Sequence, residues 1–148
     1  LGLDAFKILV EQLPDSELIL IGDGELQEDI HEKVVHKGLS DCVHMVGYKE
    51  GTDYIESLQA LDLVWILGLG NDWSGRAAAQ ARACGVKVVA VDLGGLSAYA
   101  NALAGPSPSD IAQKTKSVLA MENQGAWQSN IEPSVWSNLY TPKRATGC

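Results

Sequence analysis

Three apolar runs dominate what this chain can fold into: residues 18–21 (LILI), residues 61–67 (LDLVWIL) and residues 86–91 (VKVVAV). Each is too short for a core helix and too uniformly apolar for a strand with one wet face. Such runs are expected of parallel strands covered on both faces. Between them the period changes to helical. Leu3, Phe6, Leu9, Val10 and Leu13 recur at intervals of three and four up to Pro14, and Leu26, Ile30 and Val34 recur every four residues up to Gly38, where a left-handed cap would end that helix. A short strand over residues 43–46, a helix opened by Thr52 as N-cap, and an Ala-rich helix from Ser74 to Cys84 capped by Gly85 continue the alternation. A further short strand is expected near residues 102–104. Ser107-Pro108-Ser109-Asp110 reads as a capping box with proline at the first helical position, opening a helix through Leu119, and Val135, Trp136, Leu139 and Tyr140 form one last helical stripe.

Strands separated by helices require right-handed crossovers, so the expected architecture is α/β: a doubly wound, mostly parallel open sheet with helices on both faces. With 148 residues and 46% apolar content the chain forms one domain, residues 1–148. Ligands of such sheets bind at the carboxyl ends of the strands, which directs attention to the loops beginning at Gly22, Gly47, Gly68 and Asp92.

Charge narrows the partners. Eleven Lys and Arg against nineteen Asp and Glu give a net charge of −8, and a pI near 4.7 argues against nucleic acid. The three cysteines, Cys42, Cys84 and Cys148, have neither metal-ligand nor disulfide-framework spacing and fit reduced thiols in a cytoplasmic protein. No apolar stretch approaches the ~20 residues that cross a bilayer, and no signal peptide is visible. The chain opens at Leu1 inside a helical pattern, so it is expected to be part of something longer.

The loop Gly68-Leu69-Gly70-Asn71-Asp72-Trp73-Ser74-Gly75 lies between a strand and the amino end of a helix, with Arg76 in its first turn. Backbone N–H groups at Ser74, Gly75 and Arg76, with the positive end of the helix dipole, suit a diphosphate. A cation there opposes the dipole by ~0.3–1 kcal/mol unless an anion sits between them, so Arg76 reads either as a phosphate ligand or as a solvated side chain. Asp72 and Gln80 could bind sugar hydroxyls, or could be a loop cap and a surface amide. Gly22-Asp23-Gly24 lets a ligand approach the backbone closely, yet is also an ordinary strand-to-helix turn with Asp23 as cap. The third glycine and the ribose-binding acid of a dinucleotide site are absent. His31, His36 and His44 share no metal-ligand spacing, and Ser74 lacks the Gly-x-Ser-x-Gly elbow.

Taken together, Gly2-Leu3-Asp4, LILIGDGEL at 18–26, VHMVGY at 43–48, ALDL at 60–63 and ACGVKVVAVDLGGL at 83–96 resemble the carboxyl-terminal domain of the glycogen-synthase-like and sucrose-phosphate-synthase-like retaining glycosyltransferases of GT-B fold. The resemblance covers residues 1–122. It implies a nucleoside-diphosphate-sugar donor, transfer with retention, and no metal or other cofactor. It places the family's two signature Glu at Asp72, the catalytic position that contacts the donor sugar, and at Gln80, which faces the ribose hydroxyls. Gly22, Asp23, Gly24, Tyr48, Ser74, Gly75 and Arg76 complete the implied donor site. It also implies that the first strand of the domain, with its phosphate-binding Arg and Lys, and the amino-terminal acceptor domain are missing from this chain, with Leu1 in the place of the lysine and Ser97 in that of a common Glu. An isolated chain is then inactive until a partner domain completes the cleft. A non-catalytic nucleotide or nucleotide-sugar binding module and a flavodoxin- or receiver-like domain are the competing readings.

Overall fold

The computed structural model describes residues 1–68, 75–92 and 95–121. Strands and helices alternate along them: α1 (Gly2–Gln12), β1 (Leu18–Ile21), α2 (Gln27–His36), β2 (Val43–Gly47), α3 (Gly51–Gln59), β3 (Leu63–Ile66), α4 (Arg76–Ala83), β4 (Lys87–Val91), β5 (Ala102–Ala104) and α5 (Pro108–Leu119), with one 3₁₀ turn at Leu96–Ala98. Every strand pair is parallel, with Leu18 opposite Val43, Leu63 opposite Lys87 and Val89 opposite Ala102. The strands fall into two groups, β1 with β2, and β3, β4, β5 in that order.

Period-two alternation along β4 sorts the helices onto opposite faces. Val88 and Ala90 join Ile66, Ala78 and Ala81 under α4. Val89 and Val91 join Ala5, Ile111 and Val118 under α1 and α5. Helix α1 then bridges the two strand groups, because its Phe6 and Leu9 pack with Val34, Leu39 and Val43 on the β1–β2 side. Asp4 of α1 accepts a hydrogen bond from the Lys37 ammonium beyond α2. That bond, with a second from the Leu1 amino group, holds the Asp4 carboxyl below its ordinary pKa.

The strands are not equally covered. Val88, Val89, Ala90 and Val91 are each 0% exposed, as the sequence leads one to expect. All of β1, expected to be buried, is only half-buried, and so is β3 except for Ile66. The cause lies along the hydrogen-bonding direction. Among the described residues β4 has a strand on each side, whereas β1 and β3 each have one neighbour and border a cleft on the other side.

Helix starts follow local chemistry. Ser107 caps α5, its Oγ accepting from the Asp110 N–H at 3.3 Å with Pro108 just inside the helix. The reciprocal half of the expected box is redirected, for the Asp110 carboxylate accepts from the Gly105 N–H and ties β5 to α5. Thr52 is not the cap of α3. Gly51, at φ 56°, turns the chain one residue earlier, so Glu50 is the N-cap and Thr52 lies inside the first turn. Leu26 is likewise outside α2, at its N-cap, and 65% exposed instead of on the buried stripe. The stripe expected over residues 135–140 lies outside the described residues.

One polar chain crosses the core. The Trp65 indole N–H donates to Thr115 Oγ1 at 2.7 Å, and that hydroxyl donates to the Ile111 carbonyl at 2.7 Å. Thr115→Val keeps the shape but strands the indole N–H, which costs about 1–3 kcal/mol. A lower denaturant midpoint at unchanged slope is the expected result.

Candidate functional site at the carboxyl edge

The site is built around the start of α4. Its small side chains, with Ala78 and Ala81 both 0% exposed, let the helix lie close to β3 and β4. Gly75 precedes it in the left-handed region, φ 54° and ψ 18°, and accepts the first intrahelical bond from the Ala79 N–H at 2.8 Å. The helix therefore begins at Arg76, two residues later than the expected Ser74. Its first-turn amides are those of residues 76–78, and those of Ala77 and Ala78 have no carbonyl four residues back within the helix. Such amides, at the positive end of the dipole, are suited to an anion.

Tyr99 and Leu96, from the connection between β4 and β5, support this turn from behind. A Cβ placed on Gly75 would lie 2.9 Å from Tyr99 Cε2 and 3.4 Å from Leu96 Cδ2. Reading of the sequence missed both residues. The loop after Asp92 was singled out there, but nothing in local spacing pairs it with position 75.

Arg76 is exposed and Gln80 half-buried. Four residues apart, they share one face of α4, with Gln80 one turn into the helix. Asp72 and Ser74 lie outside the described residues. Gly22, Asp23 and Gly24 follow β1 as an exposed segment with positive φ at both glycines, 137° and 158°. Asp23 is not a helix cap, because Leu26 holds that position without a side-chain cap bond. The Gly22 N–H donates to the Gly47 carbonyl at 2.8 Å, which sets this segment beside the loop carrying Tyr48, itself 64% exposed. Gly22, Asp23 and Gly24 line one cleft with Ala77 and Lys49, whereas Tyr48, Gly75, Arg76 and Gln80 are not among its lining residues.

No group of three or more His, Cys, Asp or Glu positioned for a metal occurs among the described residues. His44 Nε2 is 3.6 Å from the Glu17 carboxylate in an exposed pair. Burial pushes the Cys84 thiol up, away from thiolate reactivity. No helix among the described residues is long and apolar enough to cross a membrane.

Open groups of parallel strands flanked by helices, with a glycine-led helix start at the carboxyl ends of the strands, define the class of α/β nucleotide-binding domains. The family model described as glycosyl transferases group 1 matches residues 1–129, and the chain belongs to that family. Comparison with curated proteins gives no match. Solved structures share the fold. Anabaena HepE, crystallised with UDP and glucose, superposes with a TM-score of 0.70 at 22% identity over 93% of this chain and 39% of its own. Sucrose-phosphate synthase from Thermosynechococcus elongatus gives 0.67 at 23% identity, over 84% of this chain and 34% of its own. The carboxyl-terminal domain of the group 1 protein LpcC from Francisella tularensis gives 0.64 at 20% identity, over 83% and 72%. This chain thus spans well under half the length of the first two, and its fold is that of GT-B glycosyltransferases.

Proposed function

We propose that this chain is the donor-binding domain of a glycosyltransferase that moves a sugar, with retention, from a nucleoside-diphosphate sugar to an acceptor held by a second domain. The observation that carries the reading is the glycine-led start of α4 after β3, at the carboxyl ends of the parallel strands. In this reading the first-turn amides with Ser74, Gly75 and Arg76 hold the diphosphate, whose charge a helix start favours. Gln80, on the same face as Arg76, meets the ribose hydroxyls, and Asp72 contacts the donor sugar. Gly22, Asp23, Gly24 and Tyr48 border the donor from the β1–β2 side. No metal is required, since the dipole and a guanidinium supply the countercharge. A second domain would supply the acceptor, exclude water and provide the proximity on which transfer depends. Alone, the chain binds the donor without turning it over. Should turnover stay absent in every complemented form while binding persists, the reading becomes a non-catalytic nucleotide-sugar module, for which Asp72 and Gln80 in place of two Glu are the motive.

A thermal-shift panel of UDP, GDP, ADP and their sugars tests the proposal. A ligand at 100 times its Kd adds ~2.7 kcal/mol, roughly 10 °C for a domain of this size. EDTA is expected to leave that shift intact, and no shift with any nucleotide removes the proposal. Arg76→Glu replaces a charge-assisted bond of about 1.5–3 kcal/mol by repulsion. Its expected effect is a loss of affinity of at least roughly tenfold, read by calorimetric titration with the best nucleotide. Affinity equal to that of the parent would place Arg76 in solvent.

A further inference from the structure

α4 is held at both ends by one stretch of chain, the connection that returns from β4 to β5. At the amino end of the helix Tyr99 lies against Gly75, where an added Cβ would meet the ring at 2.9 Å. At the carboxyl end the Arg82 guanidinium donates from Nη1 to Asn101 Oδ1 at 2.8 Å. The same oxygen accepts the Val88 N–H of β4, also at 2.8 Å, and the Asn101 N–H donates to the Val88 carbonyl at 2.8 Å. One exposed asparagine therefore joins the last turn of α4, the strand beneath it and the residue that leads into β5.

The ladder explains what this side chain does to the backbone. Between parallel strands the bonds recur at every second residue. The Asp92 N–H donates to the Ala104 carbonyl, so four residues back along both strands the Val88 N–H would meet the carbonyl of Ala100. Asn101 Oδ1 takes that N–H instead. Ala100 is thereby released from the sheet, and its N–H, with that of Tyr99, turns back to the Leu96 carbonyl, each at 3.0 Å. That turn carries the Tyr99 ring out of the line of β5 and onto Gly75. An alanine at 101 would return the Val88 N–H to the Ala100 carbonyl, lengthening β5 backward at the expense of the turn.

The consequence reaches the anion site through helix geometry. Gly75 sets Arg76 as the first helical residue, and the N–H groups of Ala77 and Ala78 are left for an outside acceptor. A slide or tilt of α4 against β4 re-aims them, and a hydrogen bond weakens steeply with angle. We propose, resting on the donor reading above, that Asn101 is a positioning residue of the diphosphate site. It touches no ligand. Through the Tyr99 turn at one end and Arg82 at the other, it fixes where α4 begins and where its first amides aim.

Calorimetric titration with UDP, GDP and ADP, run where every variant is fully folded, reads the effect on the tightest of the three. Asn101→Ala is expected to weaken that nucleotide at least roughly tenfold. Backbone exchange at Ala79, whose N–H bonds to the Gly75 carbonyl, should quicken by a similar factor while Val89 and Val91 of β4 hold their rates. Asn101→Asp keeps an oxygen for both donors and should bring affinity and exchange back to within about threefold of the parent. Ser107→Ala removes the cap of α5, so it lowers stability away from α4 and should leave both readings at the parent value. Parent-like affinity in Asn101→Ala, an equal loss in Ser107→Ala, or no rescue by Asn101→Asp would each overturn the proposal. If Asn101→Ala does not fold, Asn101→Gln, whose oxygen sits one methylene further out, takes its place under the same outcomes. Should the parent bind none of the three nucleotides, the donor reading falls by itself. Exchange at Ala79 then decides the positioning: quickening rescued by Asn101→Asp upholds it, and an unchanged rate in Asn101→Ala removes it.

Discussion

Gly75→Ala is expected to destabilise the domain by about 2–5 kcal/mol, far more than a methyl group costs at an ordinary surface glycine. Part of the cost is conformational, since an L-residue in the left-handed region loses ~1–2 kcal/mol. The remainder is steric, because the new Cβ would sit 2.9 Å from the Tyr99 ring, and displacing a packed ring costs ~1–3 kcal/mol. Gly85 separates the two contributions. It has φ 78° and open space around its Cβ position, so Gly85→Ala should lose only the conformational part, about 1 kcal/mol. Denaturant midpoints of both variants rank them. In the Tyr99→Ala background the Gly75→Ala cost should fall by more than ~0.5 kcal/mol, the size of coupling expected between touching residues. Purely additive values would show that the ring does not constrain position 75. Because Gly75 sets where α4 begins, the same variant should weaken nucleotide binding beyond what its stability loss explains.

Much of the architecture was readable because residue types act locally. Residues 18–21 announce a strand by an unbroken apolar run and residues 86–91 by one broken only at Lys87, and Ser107-Pro108 announces a helix by capping chemistry realised in the fold. Patterns of this kind report which faces of an element are covered, but not what lies beside it along the hydrogen bonds. For that reason LILI and VKVVAV read alike, although among the described residues β4 has a strand on each side and β1 on one side only. Thr52 misled because a glycine with positive φ one residue earlier redirects the chain, a choice its own sequence window leaves open. The candidate site was legible as a set of loops, since parallel topology dictates where strands end. Its inner support was not. Tyr99 meets Gly75 across 24 positions of sequence, and only the folded order β3, β4, β5 brings them together.

Ile111→Ala is expected to produce the largest loss from a single aliphatic truncation, about 2–5 kcal/mol. Ile111 is 0% exposed and belongs to the cluster of Ala5, Val89, Val91, Ala104 and Val118. Its neighbour Ala112 belongs instead to the cluster of Phe6, Leu9, Val34 and Val43, so the first turns of α5 touch both halves of the core. Against a total stability of ~5–15 kcal/mol such a loss leaves little margin, whereas Val35→Ala, at a site 55% exposed, should stay within ~0.5 kcal/mol. The manner of unfolding discriminates further. The strand groups share no ladder among the described residues, and the α1–α5 layer, together with Trp65 of β3, packs against both. Weakening that layer should loosen the joint, so hydrogen exchange at Val43–Gly47 should quicken together with exchange in β3–β5 if the layer couples them. Quickening confined to β3–β5 would mean that α1 holds β1 and β2 without help from α5, and the coupling assigned to Ile111 and Ala112 would be wrong.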